Sequence, residues 1–157
     1  MTSPIRCQES SAEPIRSKYL GEVAAAHTIT LRTSIIGPEL NNGAHALLGW
    51  FLSQQGAVNG YTRAIFSGFP TVELARVVDE FVIPRPDLSG LYHVAAEPIS
   101  KFDLLTLIAK IYGKTIEIKP LAEPAIDRSL DASRFNAATG YRAPDWHELV
   151  SRMFNFK

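Results

Sequence analysis

The chain has little of what marks several broad classes of protein. Its 157 residues contain one cysteine, Cys7, which excludes a disulfide within the chain and fits a reducing compartment. Sixteen basic residues balance sixteen acidic ones, so no net charge attracts nucleic acid or an anionic membrane surface. No apolar run approaches the ~20 residues that cross a bilayer, and the N-terminus has no apolar segment typical of a secretory signal. These absences predict a cytoplasmic protein with neither nucleic-acid nor membrane partners.

Motifs for metal binding and for nucleophilic catalysis are also missing. The four histidines lie at positions 27, 45, 93 and 147, without the spacing of a metal site. No Gly-x-Ser-x-Gly turn supports a serine hydrolase. His93 falls in a predicted strand, where a hydrogen-bonded core histidine is the simplest interpretation. Trp50 and Trp146 fall on apolar helix faces and are predicted to pack in the core.

What is present is the composition of a globular domain, with 46% apolar and 20% charged residues. Residues 1–12 are polar and carry little pattern, which predicts a disordered or extended N-terminal segment. From residue 13 to residue 157 the pattern is that of one ordered unit.

Predicted strands alternate with predicted helices along the chain. The strands are expected at residues 28–33 (extended by 35–36), 61–66, 90–95 and 115–118. Two helices are expected at about residues 13–26 and at 44–55. A third follows a Thr71 cap, with Glu73 in its first turn, and a fourth runs from Ser100 and Asp103 to Gly113. The last follows an Asp145 cap, with Glu148 at the capping-box position. Residues 120–131 are predicted to form a proline-marked loop.

This alternation predicts an α/β fold with parallel strands. Two convincing parallel strands do not make a sheet covered on both faces, which parallel strands normally need. The sequence therefore predicts that part of a larger fold is missing from the chain.

Three runs, in order and at suitable spacing, resemble one enzyme family: residues 16–22 (RSKYLGE), 31–38 (LRTSIIGP) and 90–101 (GLYHVAAEPISK). They resemble the C-terminal half of extended short-chain dehydrogenase/reductases, the NAD-dependent epimerase/dehydratase family. The resemblance is greatest to its branch of dTDP-4-dehydrorhamnose reductases and sugar-nucleotide epimerases. It implies a partial Rossmann-like fold over residues 13–157, with C-terminal parallel strands and a small α/β substrate-binding portion. The N-terminal dinucleotide-binding βαβ unit is expected to be missing.

The family's chemistry is hydride transfer between a nicotinamide and a sugar carbon, with a Tyr-x-x-x-Lys pair on one helix. Lys18 matches the lysine, which implies a catalytic role and contact with the nicotinamide ribose. Four residues earlier the chain has Pro14 instead of tyrosine, as though four residues between Ile15 and Arg16 were absent. Tyr19 cannot replace that tyrosine, because adjacent helix positions point about 100° apart.

The family's phosphate-binding turn, Gly-x-x-Gly-x-x-Gly, has no counterpart among the ten glycines. The resemblance assigns Gly37 and Pro38 to the loop that passes the nicotinamide. It implies NAD or NADP as the cofactor, and we do not expect this chain alone to hold either.

On the substrate side, Asn41 or Asn42 lies where relatives place a substrate-contacting asparagine, and a polar loop residue is an equal interpretation. Arg128 lies where relatives direct an arginine to the nucleotide diphosphate, because its fork binds phosphate oxygens bidentately. A surface ion pair with a neighbouring aspartate is an equal interpretation. Arg63 is a weaker diphosphate candidate, and Arg32 is predicted to pair with a buried carboxylate or with carbonyls.

These residues favour an incomplete NAD(P)-dependent nucleotide-sugar reductase or epimerase that is inactive alone. The alternative is a non-catalytic nucleotide-sugar-binding or assembly module that pairs with a separate cofactor-binding chain. The expected partners are a nucleotide sugar and either further copies of the chain or a complementary chain.

Overall fold

The computed structural model describes residues 19–23, 25–38 and 46–156. Lys18, Asn41, Asn42 and the predicted segment 1–12 lie outside the described residues. Of the first predicted helix only its end is described: residues 19–20 are helical and Gly21 is a turn, so the helix does not continue to residue 26 as predicted.

The described strands are β1 Ile29–Arg32, β2 Ile35–Ile36, β3 Ala57–Tyr61, β4 Ala64–Phe66, β5 Phe69–Pro70, β6 Gly90–His93, β7 Ile99–Ser100, β8 Glu117–Leu121 and β9 Ile126–Asp127. The described helices are α1 Leu47–Ser53, α2 Thr71–Val77 with a π-helical continuation Val78–Val82, α3 Lys101–Tyr112, α4 Ser133–Thr139 and α5 Trp146–Asn155. None of these helices is long and apolar enough to cross a membrane.

The predicted α/β fold with parallel strands is confirmed. β1 and β6 pair in parallel, with Ile29 opposite Gly90 and Arg32 opposite His93. Parallel pairs also join β2 to β5 and β3 to β8, while β4 lies between antiparallel β7 and parallel β9. The sheet is thus divided into short ladders, and the helices supply most of the packing surface.

Two apolar clusters form the core. The first comprises Ile36, Leu48, Phe51, Val58, Leu104, Leu105, Ile108, Val150 and Met153. The second comprises Phe69, Val77, Leu88, Tyr92, Val94, Ala96, Phe135, Tyr141 and Leu149. Helix α5 contributes to both clusters, because its apolar face is wide enough to meet α3 on one side and α2 on the other.

Two helix starts and one helix end form as their sequence signals predict. The Ser100 hydroxyl accepts a hydrogen bond from the Asp103 N–H at 3.0 Å, and the Asp145 carboxylate accepts one from the Glu148 N–H at 2.8 Å. Each satisfies a backbone donor that the first helical turn leaves free. Gly113 ends α3 in the left-handed conformation, with φ 65°.

Other local predictions are wrong. Thr71 is not a cap: it is the first residue of α2, and the cap position is Pro70, without a side-chain hydrogen bond. Residues 61–66 belong to two strands separated by a turn at Thr62 and Arg63. Pro120 lies inside β8, which tolerates proline because β8 pairs only with β3 among the described strands.

Candidate functional site

The carboxyl ends of β1 and β6 form the edge at which α/β sheets usually bind ligands. Arg32 ends β1, and its guanidinium forms a two-point ion pair with Glu22, with Nε–Oε1 at 2.5 Å and Nη2–Oε2 at 2.8 Å. The hydrogen bond from Arg32 holds the pKa of the Glu22 carboxyl below its usual range. The predicted structural role of Arg32 is therefore confirmed, with a half-buried carboxylate as its partner.

His93 ends β6 directly beside Arg32. Its ring is half-buried and makes no hydrogen bond within the described part of the chain. The interpretation of His93 as a hydrogen-bonded core histidine is therefore wrong. The register explains the difference, because it places the histidine at the open end of the strand pair instead of in the apolar clusters.

Gly37 and Pro38, the predicted nicotinamide-side loop, follow β2. Gly37 is buried and Pro38 is exposed. A Cβ on Gly37 would lie 2.6 Å from the Thr71 Oγ1 atom. Close packing against the start of α2 therefore accounts for glycine at this position, and contact with a cofactor stays a prediction.

Arg128 is exposed and makes no ion pair with any described residue. Asp127 instead accepts hydrogen bonds from Ser129, and Asp131 accepts one from the Ser133 N–H. These bonds hold the pKa of both aspartates below the usual range. The interpretation of Arg128 as half of a local ion pair is therefore wrong, and its guanidinium is available to a ligand.

Arg63 stands at the other end of the same ladder. β4 pairs with β9 with Ala64 opposite Ile126 and Ile65 opposite Asp127, which puts Arg128 level with Phe66. Arg63 is thus three strand positions from Arg128, roughly 10 Å along the ladder. Its guanidinium lies 3.7 Å from the Glu123 carboxylate, and both side chains are mostly exposed. The structure therefore does not bring the two predicted diphosphate ligands together.

A cavity of about 340 Å³ lies between α1, β3 and the start of α3, at a place that sequence reasoning did not predict. It is lined by Leu47, Trp50, Gln54, Ala57, Val58, Asn59, Tyr61, Lys101 and Leu105. The alternation of β3 explains part of this lining: Val58 and Gly60 are buried, while Ala57, Asn59 and Tyr61 are exposed or half-buried.

Four polar groups at this cavity have no hydrogen-bond or ion-pair partner within the described residues: the Trp50 indole N–H, the Asn59 amide, the Tyr61 hydroxyl and the Lys101 ammonium. Trp146 is different, because its indole N–H donates to the Glu97 carbonyl at 2.7 Å. The prediction of both tryptophans as core residues is thus too simple, since Trp50 borders a cavity. Two aromatic rings, an amide and a cation around this volume suit a small polar ligand with a flat ring.

A second, more open cavity of about 360 Å³ begins at the next residue along the chain. It is lined by Thr62, Arg63, Ile65, Ala125, Ile126 and Asp127. Residues 61–63 therefore contribute to both cavities. Tyr61 lines the first cavity, and Arg63, two residues later, lines the second. No group of three or more histidine, cysteine or acidic side chains in the described part of the chain could hold a metal ion.

Comparison with solved structures identifies the fold. A dTDP-4-dehydrorhamnose reductase from Bacillus anthracis, in complex with NADP, matches with a TM-score of 0.60 and 20% identity, over 80% of this chain and 47% of the reductase. A hypothetical dTDP-4-dehydrorhamnose reductase from Sulfolobus tokodaii matches with a TM-score of 0.62 and 24% identity, over 83% of this chain and 50% of that reductase. UDP-N-acetylglucosamine 4-epimerase from Methanobrevibacter ruminantium, in complex with UDP-N-acetylmuramic acid, matches with a TM-score of 0.57 and 21% identity. The match covers 80% of this chain and 44% of the epimerase.

The chain therefore has the fold of the C-terminal part of Rossmann-like reductases and epimerases. The resemblance to dTDP-4-dehydrorhamnose reductases that the sequence motifs carry is confirmed at the level of the fold. The chain spans about half the length of the solved structures that it matches. No protein-family model and no curated protein sequence matches it.

Proposed function

We propose that this chain is the substrate-side half of an NAD(P)-dependent nucleotide-sugar reductase or epimerase of the dTDP-4-dehydrorhamnose reductase type. The observation that carries the proposal is the cavity between α1, β3 and α3, where four polar groups have no partner among the residues that the structure describes. Solved neighbours bound to NADP or to a UDP-sugar support the same substrate and cofactor classes.

In this proposal the nucleoside base stacks between Trp50 and Tyr61, because aromatic faces bind any base without requiring one sequence of donors. The Asn59 amide donates to and accepts from the edge of the base. Lys101 binds a phosphate as a point charge. Arg63, two residues beyond Tyr61, and Arg128, roughly 10 Å from it along the ladder, bind separate phosphate or sugar oxygens. Asn41 or Asn42 contacts the sugar.

The residues present do not fit a nicotinamide dinucleotide as a stable ligand of this chain alone. The sequence has no glycine-rich phosphate turn, and the space beside Gly37 is occupied by the Thr71 side chain. Lys18 would contact the nicotinamide ribose, and Gly37 and Pro38 would border the nicotinamide, only when another unit supplies the pyrophosphate site. We therefore derive no catalytic step for the isolated chain.

The isolated chain is expected to bind dTDP and to be catalytically silent. Mixed with NADPH and a dTDP-4-keto sugar, it should give no NADPH oxidation above background, since its sequence has neither the glycine turn nor the tyrosine four residues before Lys18. Titration with dTDP should quench the fluorescence of Trp50. NADPH oxidation above background would contradict the predicted inactivity. If the chain binds neither dTDP nor UDP, the proposed binding site is wrong.

Variants at the cavity separate the two contacts proposed there, base stacking by Trp50 and phosphate binding by Lys101. Trp50→Phe should abolish the fluorescence change, whereas Trp146→Phe, the matched control outside the cavity, should retain it. Lys101→Met should weaken dTDP about tenfold and leave thymidine unchanged, because a charged hydrogen bond to a phosphate contributes about 1.5 kcal/mol. Equal loss of dTDP and thymidine would place Lys101 in folding and not in phosphate binding.

The alternative function is a non-catalytic binding or assembly module. It is consistent with the outer edge of β1, where the backbone groups of Ile29 and Leu31 make no hydrogen bond within the described residues. It shares the binding site and differs in one outcome. A module would stay silent even when it is joined to a unit that holds NADPH and a tyrosine is restored four residues before Lys18.

A further inference from the structure

The β4–β9 ladder continues for one hydrogen bond beyond the last residue of each strand. Along the ladder β9 donates to β4 at every second residue, ending with the Arg128 N–H, which donates to the Ile65 carbonyl at 3.2 Å. In a parallel pair the next donor meets the carbonyl two residues further along the partner. That donor is the Leu130 N–H, and the ladder pattern predicts the Ser67 carbonyl as its acceptor.

The Ser67 side chain replaces that carbonyl. The carbonyl itself accepts the Ala96 N–H at 2.8 Å, from the segment that follows β6. The Ser67 hydroxyl accepts the Leu130 N–H instead, at 2.9 Å. Ser67 is 1% exposed, so solvent does not compete for this hydrogen bond at the hydroxyl. One buried serine thus joins three segments: the end of β4, the exit of β6 and the chain that follows β9.

Arg128 lies between two of these hydrogen bonds. Its own N–H and the Leu130 N–H are both held by the segment of β4 and Ser67. Between them the Ser129 N–H donates to the Asp127 carboxylate at 2.8 Å. The backbone is therefore fixed on both sides of an exposed guanidinium that makes no ion pair with any described residue. Fixing the backbone in advance reduces the conformational entropy that is lost when the arginine binds an anion.

We infer that Ser67 is a positioning residue, whose hydroxyl fixes the backbone that carries Arg128 so that the guanidinium meets a diphosphate. Ser67 does not touch the ligand and acts through Arg128. The diphosphate rests on the proposed function, while the fixing of the backbone rests on the hydrogen bonds alone. Alanine at position 67 keeps the backbone bond to Ala96 and removes only the hydrogen bond to Leu130, so the substitution isolates the hydroxyl.

Titrations with dTDP and with thymidine test the effect on the ligand. Ser67→Ala should weaken dTDP about fivefold and leave thymidine unchanged, because only the diphosphate meets Arg128. Arg128→Met should weaken dTDP about tenfold. The double variant should bind dTDP no more weakly than Arg128→Met alone, since Ser67 acts through Arg128. Ser129→Ala is the matched control: it removes a hydroxyl that donates to Asp127 at 2.7 Å, and dTDP binding should not change.

A measurement without ligand tests the backbone separately. Amide relaxation by NMR should give an order parameter of about 0.85 at Arg128 in the native chain, and a lower one, towards about 0.6, in Ser67→Ala. The order parameter of Ile126, which lies before the lost hydrogen bond, should not change. Ser67→Cys fills nearly the same space with a weak acceptor, so it should lose order at Arg128 and affinity for dTDP as the alanine variant does.

Four results would overturn the inference: native order at Arg128 in Ser67→Ala, equal loss of dTDP and thymidine, additive losses in the double variant, or native behaviour of Ser67→Cys. The last result would assign the effect of alanine to packing. If the native chain binds neither dTDP nor UDP, the proposed function fails together with the diphosphate, and the relaxation data alone decide whether Ser67 fixes the backbone of Arg128.

Discussion

Replacing Glu73 by alanine should destabilise the chain by about 3–5 kcal/mol, because two arginines would lose the buried carboxylate that they share. Glu73 is 1% exposed. Arg76 donates to it at 2.8 Å, Arg152 at 2.6 Å and the Tyr141 hydroxyl at 2.8 Å. Against a typical total stability of 5–15 kcal/mol, such a loss removes at least about a fifth of the free energy of unfolding.

Urea unfolding followed by circular dichroism measures this effect, and the chain supplies matched controls. Glu80 and Glu148 are the outer carboxylate partners of the same two arginines, and about half of each side chain is exposed. Glu80→Ala and Glu148→Ala should each change the unfolding free energy by about 1 kcal/mol or less. Similar losses of unfolding free energy for all three variants would contradict the claim that the burial of Glu73 causes the larger effect.

The same carboxylate should make stability depend on pH in the acid range. Burial raises the pKa of Glu73, but hydrogen bonds from Arg76, Tyr141 and Arg152 outweigh burial, and the pKa lies below its ordinary value of 4.5. The folded state therefore binds a proton less readily than the unfolded state. Its contribution is complete above that ordinary value and is lost as the pH falls through the lower folded-state pKa. Glu73→Gln should flatten this part of the curve of unfolding free energy against pH.

Gly68→Ala should be comparably damaging for a steric reason. A Cβ at this position would overlap the Ser34 carbonyl, with its carbon 2.5 Å away, and would lie 2.5 Å from the Phe66 ring. The obstacle is backbone, and Phe69 next to it donates to the same Ser34 carbonyl at 2.8 Å. We expect a loss of at least about 3 kcal/mol, the upper part of the range for overpacking.

The control for Gly68 is Gly140→Ala. Gly140 has φ 77° and open space where a Cβ would stand, so alanine there costs only the backbone strain of the left-handed conformation, about 1–2 kcal/mol. Thermal unfolding of both variants separates the two causes. Because the Ser67 hydroxyl accepts from the Leu130 N–H at 2.9 Å, Gly68→Ala should also displace the segment that carries Arg128. A loss no larger than that of Gly140→Ala would contradict the steric account.

The elements that sequence reasoning predicted are those with local signals. Polar and apolar residues alternate in β1, β6 is an apolar run that follows a glycine, and the caps at Ser100 and Asp145 use donors three residues away. Helix α4 was missed because only Phe135 among its residues is buried, so no apolar period marks it. Pattern methods detect a helix through its repeated apolar face.

The site was predicted less well because its parts come from distant segments. The sequence placed Glu73 only in the first turn of a helix, yet its partners Tyr141 and Arg152 lie 68 and 79 residues away. Likewise Trp50, Tyr61 and Lys101 belong to three different elements and meet only at the cavity. Family resemblance supplied Lys18, Gly37, Asn41, Asn42 and Arg128, but the roles of these five residues stay predictions.

The position of α5 in both core clusters has a consequence for synthesis. This helix follows every other described element in the chain, and it carries Val150 and Met153 of one cluster, Leu149 of the other and the Arg152 partner of Glu73. Chains are synthesised from the N-terminus at ≈ 5–20 residues per second. Neither cluster can close until residues 146–155 have left the ribosome, so the apolar surfaces of the earlier elements stay exposed in the nascent chain until this helix emerges.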